Sequence, residues 1–159
     1  MDWDALTAGQ ECPFCRPRVE PNDFWDTVTE LPVSTLCLLK NQAYRGYCIL
    51  IYDVKHAIAP DQLTETEWSR FTTDVHRAVK ALRAVCSPDH MNVECLGNTV
   101  PHLHWHLIPR YRNDPRWSGP IWTDSIDDLH RVELPSAERS ELMALLRACF
   151  DNRSVSDVR

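Results

Sequence analysis

The sequence predicts a single α+β domain, on the strength of paired β-prone runs, one long amphipathic stretch and a second helical stretch near the end. The β-prone runs are Ser34 to Leu39 (STLCLL) and Tyr47 to Tyr52 (YCILIY), the second nearly all apolar, as in a central strand. Residues 61–86 carry helical periodicity. The turns between strand candidates are too short for parallel crossovers, so the pairing is expected to be antiparallel.

Taken in order, residues 1–32 mix polar, aromatic and proline positions and read as an irregular segment with a turn at Cys12-Pro13-Phe14-Cys15. Between the first two strands, Asn41 and Gly46 supply turn chemistry, so the pair reads as a hairpin. In the long helix Trp68, Phe71, Val75, Ala78, Val79 and Leu82 recur at three- and four-residue steps and make one apolar stripe. Thr64 and Glu67 have the spacing of a capping box at its start. Met91 to Leu96 returns to strand character, and Gly97-Asn98 offers a tight turn into a strand over 99–108. A second helix is expected from about Ser136, with Leu142, Leu145, Leu146 and Cys149 inward and a frayed tail from Asn152. One domain spans 1–159, with its core in 12–150.

With 159 residues, 43% of them hydrophobic and 25% charged, the chain is expected to form one compact domain with a real core and leaves little room for a second. There are no repeats and no low-complexity tracts, and four glycines against eleven prolines suggest stiff loops. No apolar run is long enough to span a bilayer, so no membrane partner is expected. The start, Met1-Asp2-Trp3-Asp4, lacks the basic and apolar regions of a signal peptide, which points to the cytoplasm. There the seven cysteines are expected to stay reduced, with Cys37, Cys48 and Cys149 as small buried hydrophobes. A net charge of −6 argues against binding polymeric nucleic acid but leaves room for a small anionic ligand.

The chemistry concentrates at 102–108, His-Leu-His-Trp-His-Leu-Ile. On a strand, His102, His104 and His106 share one face, and Leu103, Trp105 and Leu107 point the other way into the core. Alternate residues stand roughly 7 Å apart, which suits neighbouring roles around one phosphate or joint ligation of a metal. A solvated polar edge is a poor explanation, since Thr, Lys or Ser would serve and Thr suits strands better. A catalytic zinc held by three histidines is the sharper competitor, and spacing alone does not separate it from phosphate chemistry.

The ordered pattern around these histidines resembles the histidine triad (HIT) superfamily of nucleotide hydrolases and transferases. HLHWHLI is His-φ-His-φ-His-φ-φ; Gly97-Asn98-Thr99-Val100 resembles the segment leading into the triad, and Pro109-Arg110 the pair that follows it. YDVKHAIAP at 52–60 resembles the strand end that carries a basic residue and a histidine ahead of the long helix, and CPFC resembles the N-terminal cysteine pair of many bacterial members. The similarity covers roughly 12–112 and leans towards diadenosine polyphosphate hydrolases. It implies the HIT-like fold, an antiparallel sheet of about five strands with one long helix and a C-terminal helix, and a homodimer.

For mechanism, the resemblance implies that His104 attacks the α-phosphorus of a dinucleoside polyphosphate or nucleoside phosphoramidate, forming a nucleotidyl-histidine that water hydrolyses. That chemistry needs a neutral imidazole whose other nitrogen is held by an acceptor, commonly a backbone carbonyl. His106 would contact the phosphate. Asn98 and Thr99 are expected near the phosphates, Asn41 near the ribose and Arg110 at the polyphosphate end. In zinc-binding relatives the ligands correspond to Cys12, Cys15, His56 and His102, implying a closed structural Zn²⁺ site. The chain departs from the pattern in the short stretch 92–97, in Asn98 where many relatives have glutamine, and in 110–122. There Trp117 and Trp122 read as packing residues or as base-stacking ones. His76, His90 and His130 read as ordinary histidines. Two other functions compete: a zinc metallohydrolase with the triad as ligands, and a non-catalytic nucleotide-binding module.

Overall fold

A computed structural model describes residues 2–18, 21–114, 116–122 and 132–151; the expected tail from Asn152 and the histidine at 130 fall outside these. The elements are α1 (Trp3–Thr7), β1 (Trp25–Glu30), β2 (Ser34–Leu39), β3 (Cys48–Tyr52), α2 (Glu65–Cys86), β4 (His90–Glu94), β5 (His104–Arg110) and α3 (Ser136–Asp151). The five strands form one antiparallel sheet in the order β1-β2-β3-β5-β4, which is the predicted α+β architecture. Among the described residues no helix is long and apolar enough to cross a membrane.

Both faces of the sheet are covered, which explains why β2 and β3 read as almost continuous apolar runs. On one face Leu36, Leu38, Leu50, Tyr52 and Leu107 pack against Phe71, Ala78 and Leu82 of α2 and Leu142, Met143 and Leu146 of α3. The alternate residues Cys37, Ile49, Ile51 and Ile108 pack on the other face under Cys12, Phe14, Tyr44, Tyr47 and Ile121. The N-terminal segment and the stretch ending at Trp122 therefore roof the face that carries the histidines.

α2 begins with the expected capping box: Thr64 Oγ1 accepts from Glu67 N, and Glu67 accepts from Thr64 N. It starts at Glu65, because Pro60–Gln62 forms a short 3-10 turn ahead of it. Asp74 is buried on its inner side and accepts from Val33 N (3.1 Å) and Ser34 Oγ (2.8 Å), tying the helix to the start of β2. Burial raises the Asp74 carboxyl pKa against these stabilising bonds.

Three expectations shift. β1 lies inside the segment read as irregular, because it is an edge strand with one buried side chain, Val28, and shows no apolar alternation. The tight turn at Gly97-Asn98 is instead a loop over 95–103: Glu94 already pairs with His106, and Pro101 has no N–H for a ladder. On α3 the inner face carries Met143, while Leu145 is 50% exposed and Cys149 half-buried.

The hairpin between β2 and β3 is built by Gln42 and Gly46. Gln42 is buried; its amide donates to Leu39 O (2.8 Å) and Tyr47 O (3.1 Å), and its Oε1 accepts from Gly46 N (2.7 Å). Gly46 has φ +85°, and a Cβ there would lie 2.5 Å from Cys86 Sγ. Gly46→Ala is expected to cost about 1–3 kcal/mol from backbone strain alone. Thermal unfolding checks this, and an unchanged melting temperature would contradict it.

Candidate active site and metal centre

β3 and β5 are neighbours at the centre of the sheet, with Ile51 opposite His104 and Ile49 opposite His106. That register puts both histidines on the roofed face, while Leu103 and Leu107 go to the helical side as predicted. His102 precedes the strand and follows the same side. His102 and His104 are only 2% and 5% exposed, so this is no solvated polar edge.

The nucleophile candidate is oriented by the backbone. His104 Nδ1 lies 2.6 Å from the carbonyl oxygen of His102, an acceptor only, so Nδ1 carries the proton and Nε2 keeps its lone pair. His104 Nε2 lies 3.1 Å from His106 Nε2, which must then be the donor. His106 Nδ1 is left as acceptor for the Tyr47 hydroxyl at 2.7 Å. One backbone carbonyl thereby fixes the protons of a four-residue chain. Burial, then the charges of Glu94 and Cys48, push the Tyr47 hydroxyl pKa well up, so it stays a donor. Burial lowers the pKa of His104, lowers that of His102 to about 4, and together with His104 lowers that of His106 to about 3. All three imidazoles are neutral near pH 7.

Aromatic rings enclose the pair. Phe14, from the Cys-Pro-Phe-Cys turn, meets His104 edge-on with ring centres 5.0 Å apart. Trp122 meets His106 at 4.9 Å, and its indole N–H donates to Glu94. These four partners, Tyr47, Phe14, Trp122 and Glu94, were not singled out as site residues by the sequence, apart from Trp122 as packing or stacking. Their approach follows from strand register and from two covering segments far apart in the chain.

A second cluster joins Cys12, Cys15, His56 and His102, whose donor atoms all lie within 4.8 Å of one another. Cys15 Sγ lies 3.3 Å from His56 Nδ1 and 3.4 Å from His102 Nδ1, and Cys12 Sγ lies 3.5 Å from His102 Nδ1. A tetrahedral zinc would set sulfur and nitrogen about 3.6 Å apart, so the donors already stand close to that geometry. Each histidine's other nitrogen is tied outward: His102 Nε2 to Tyr52 O (2.7 Å) and His56 Nε2 to Thr7 O (3.1 Å). Those carbonyls hold the Nε2–H tautomers and leave the Nδ1 lone pairs for a ligated cation. Burial, then the adjacent Cys12 sulfur, pushes the Cys15 thiol pKa up to about 11, so two thiolates here call for a cation between them. The residues fit the group. Gly9, with φ +79°, lets the end of α1 settle on the His56 ring.

Of the remaining predicted contacts, Arg110 and Asn41 are engaged within the fold. Arg110 is 1% exposed: it pairs with Asp114 (2.8 and 3.0 Å), donates to Gly119 O (2.9 Å) and Arg116 O, and lies over the Tyr44 ring. It braces the loop after β5, and its donors are committed there. Asn41 Oδ1 accepts from Ala43 N and Val132 N (3.1 Å each), clipping the hairpin to the chain entering α3. Asn98 and Thr99 are exposed in the loop ahead of His104. His76 and His90 are exposed, and Trp117 is 40% exposed.

A five-stranded antiparallel sheet with alternating histidines on a central strand is the fold of nucleotide-binding hydrolases and transferases. The chain belongs to the HIT domain family, whose profile matches residues 26–113. Family members include hydrolases and transferases and also non-catalytic proteins. Similar solved structures include a histidine triad protein from Bradyrhizobium japonicum, 26% identical over 78% of this chain and 89% of that one, with a TM-score of 0.71. Another from Marinobacter aquaeolei is 24% identical over 80% and 89%, with a TM-score of 0.70. A zinc-bound histidine triad family protein from Mycobacterium smegmatis is 21% identical over 79% and 83%, with a TM-score of 0.56. No curated protein matches the chain in sequence.

The depressed pKa of His106 gives a direct check. Its ring should stay neutral in nitrogen-15 NMR from pH 8 down to pH 5, with the proton on Nε2. Protonation near pH 6.5, the ordinary imidazole value, would contradict the buried relay.

Proposed function

We propose that this protein is a nucleotidyl-transferring hydrolase that cleaves at the α-phosphate of a nucleotide through a covalent intermediate on His104. The observation that carries this reading is the 2.6 Å bond from His104 Nδ1–H to the His102 carbonyl, which leaves a neutral Nε2 lone pair facing His106. In the first step Nε2 forms a bond to the α-phosphorus and the bond to the leaving group breaks. The leaving group departs with that electron pair and takes a proton from water, while the neutral His106 keeps its Nε2–H as a hydrogen-bond donor. His104 then bears positive charge, and the His102 carbonyl dipole stabilises it through Nδ1–H. In the second step water attacks phosphorus, the P–Nε2 bond breaks with its electron pair returning to His104, and the proton of the attacking water passes to solvent. Nε2–H of His106 and the exposed Thr99 hydroxyl are the donors best suited to the phosphoryl oxygens, with Asn98 beside them.

The substrate class in this reading is a dinucleoside polyphosphate, a nucleoside phosphoramidate or a similar adenylate. His104→Asn is expected to reduce turnover of such substrates at least a thousandfold, on the order of a lost nucleophile, while binding of adenosine monophosphate changes by less than about fivefold. Steady-state kinetics and calorimetry check the pair of values. Turnover within tenfold of wild type in that variant would overturn the reading.

Cys12, Cys15, His56 and His102 would hold a zinc ion, which when bound supplies a structural clamp between the N-terminal segment and the sheet. The competing metallohydrolase reading is not favoured, since His102 has one ring nitrogen on Tyr52 O and the other facing the cysteine sulfurs. Elemental analysis is expected to find one zinc per chain in wild type and in His106→Ala, and little in Cys12→Ser. Loss of zinc from His106→Ala with retention in Cys12→Ser would reverse that assignment.

A further inference from the structure

Glu94, the last residue of β4, sits directly opposite His106 in the strand pairing, so both side chains leave the sheet on the same face. One carboxylate oxygen accepts from the Trp122 indole, the ring that meets His106, and the other from Asn92 Nδ2 (3.1 Å). An anion is thus fixed one residue-width from the group that would touch the phosphate.

Among the described residues the cation that feels its charge is Arg110, through space and not through a bond. Arg110 shares this side of β5 but is committed to Asp114 and two carbonyls, and Arg18 is committed to Asp53 and Thr35. Among the described residues no lysine or arginine bonds to Glu94, Tyr47, His104, His106 or Trp122. Sites that bind polyphosphate chains present arginine, lysine or rows of backbone N–H groups to compensate several oxyanions. This site presents a carboxylate.

We propose that Glu94 is a specificity-determining residue that selects against anionic leaving groups and favours neutral or cationic ones, such as amines. The inference rests on the nucleotidyl-transfer reading and narrows its substrate class. Every candidate substrate carries the same α-phosphoryl charge, so repulsion there is common to all; the leaving group is what differs. A polyphosphate leaving group adds negative charge within a Debye length of Glu94, whereas an amine adds none. When an amine leaves, the P–N bond breaks as the Nε2–P bond forms, and the amine keeps the electron pair and takes a proton from water. The second-step water returns a proton to solvent as the P–Nε2 bond breaks.

The test compares wild type with Glu94→Gln, which keeps an oxygen for the Trp122 indole and removes only the charge. The readout is the ratio of kcat/KM for adenosine 5′-phosphoramidate to that for diadenosine tetraphosphate. The ratio should exceed one in wild type and fall about tenfold in Glu94→Gln at low salt, the size expected for one partly screened charge. An unchanged ratio, or a wild type that prefers the tetraphosphate, would overturn the proposal. Binding of adenosine monophosphate and triphosphate, measured by calorimetry on both proteins, keeps the two readings apart. Weaker triphosphate binding in wild type, relieved in Glu94→Gln, supports the role of Glu94 even if neither substrate turns over. Equal binding overturns it, and no binding of either nucleotide removes the nucleotide reading and this inference with it.

Discussion

The hydrogen bond from His104 Nδ1 to the carbonyl of His102 is the constraint on which the site depends. A carbonyl oxygen can only accept, so this one contact decides which His104 nitrogen is free. The remaining protons, on His106 and Tyr47, follow without further choice. In water such a chain would exchange partners. Here burial lowers the pKa of all three histidines and the roof of Phe14 and Trp122 keeps the geometry.

His102 acts in two directions. Its carbonyl orients His104, while its ring joins Cys12, Cys15 and His56 and is anchored by Tyr52 O. The candidate metal centre and the candidate nucleophile are therefore two ends of one residue. The N-terminal segment, which supplies both cysteines and Phe14, closes over the sheet at the same place. The fold contributes the central strands, and the covering segments contribute the seclusion.

Much of this was legible in the sequence, and what was legible had a periodic or local cause. β2, β3 and the capping box of α2 are written in apolar runs and a Thr-x-x-Glu spacing, and the alternation of 102–107 gives the two faces of β5. The candidate metal site brings together the four residues that the family resemblance named. β1 was hidden because an edge strand with one buried residue has no alternation to read. The acceptor for His104 was hidden because backbone carbonyls leave no trace in side-chain patterns. Tyr47 and Glu94 meet His106 through the pairing of β3, β5 and β4, and a sequence does not print its register. Arg110 shows the reverse case: its motif position suggested phosphate, but Asp114, four residues on, takes up its guanidinium.

The most direct test of the account is intact-mass analysis of the protein after brief, quenched incubation with adenosine 5′-phosphoramidate and a panel of adenine dinucleotides, followed by peptide mapping. The account predicts a transient adduct of one nucleotidyl group on His104, absent from His104→Ala. Turnover with no adduct, or an adduct mapped to another residue, would contradict it.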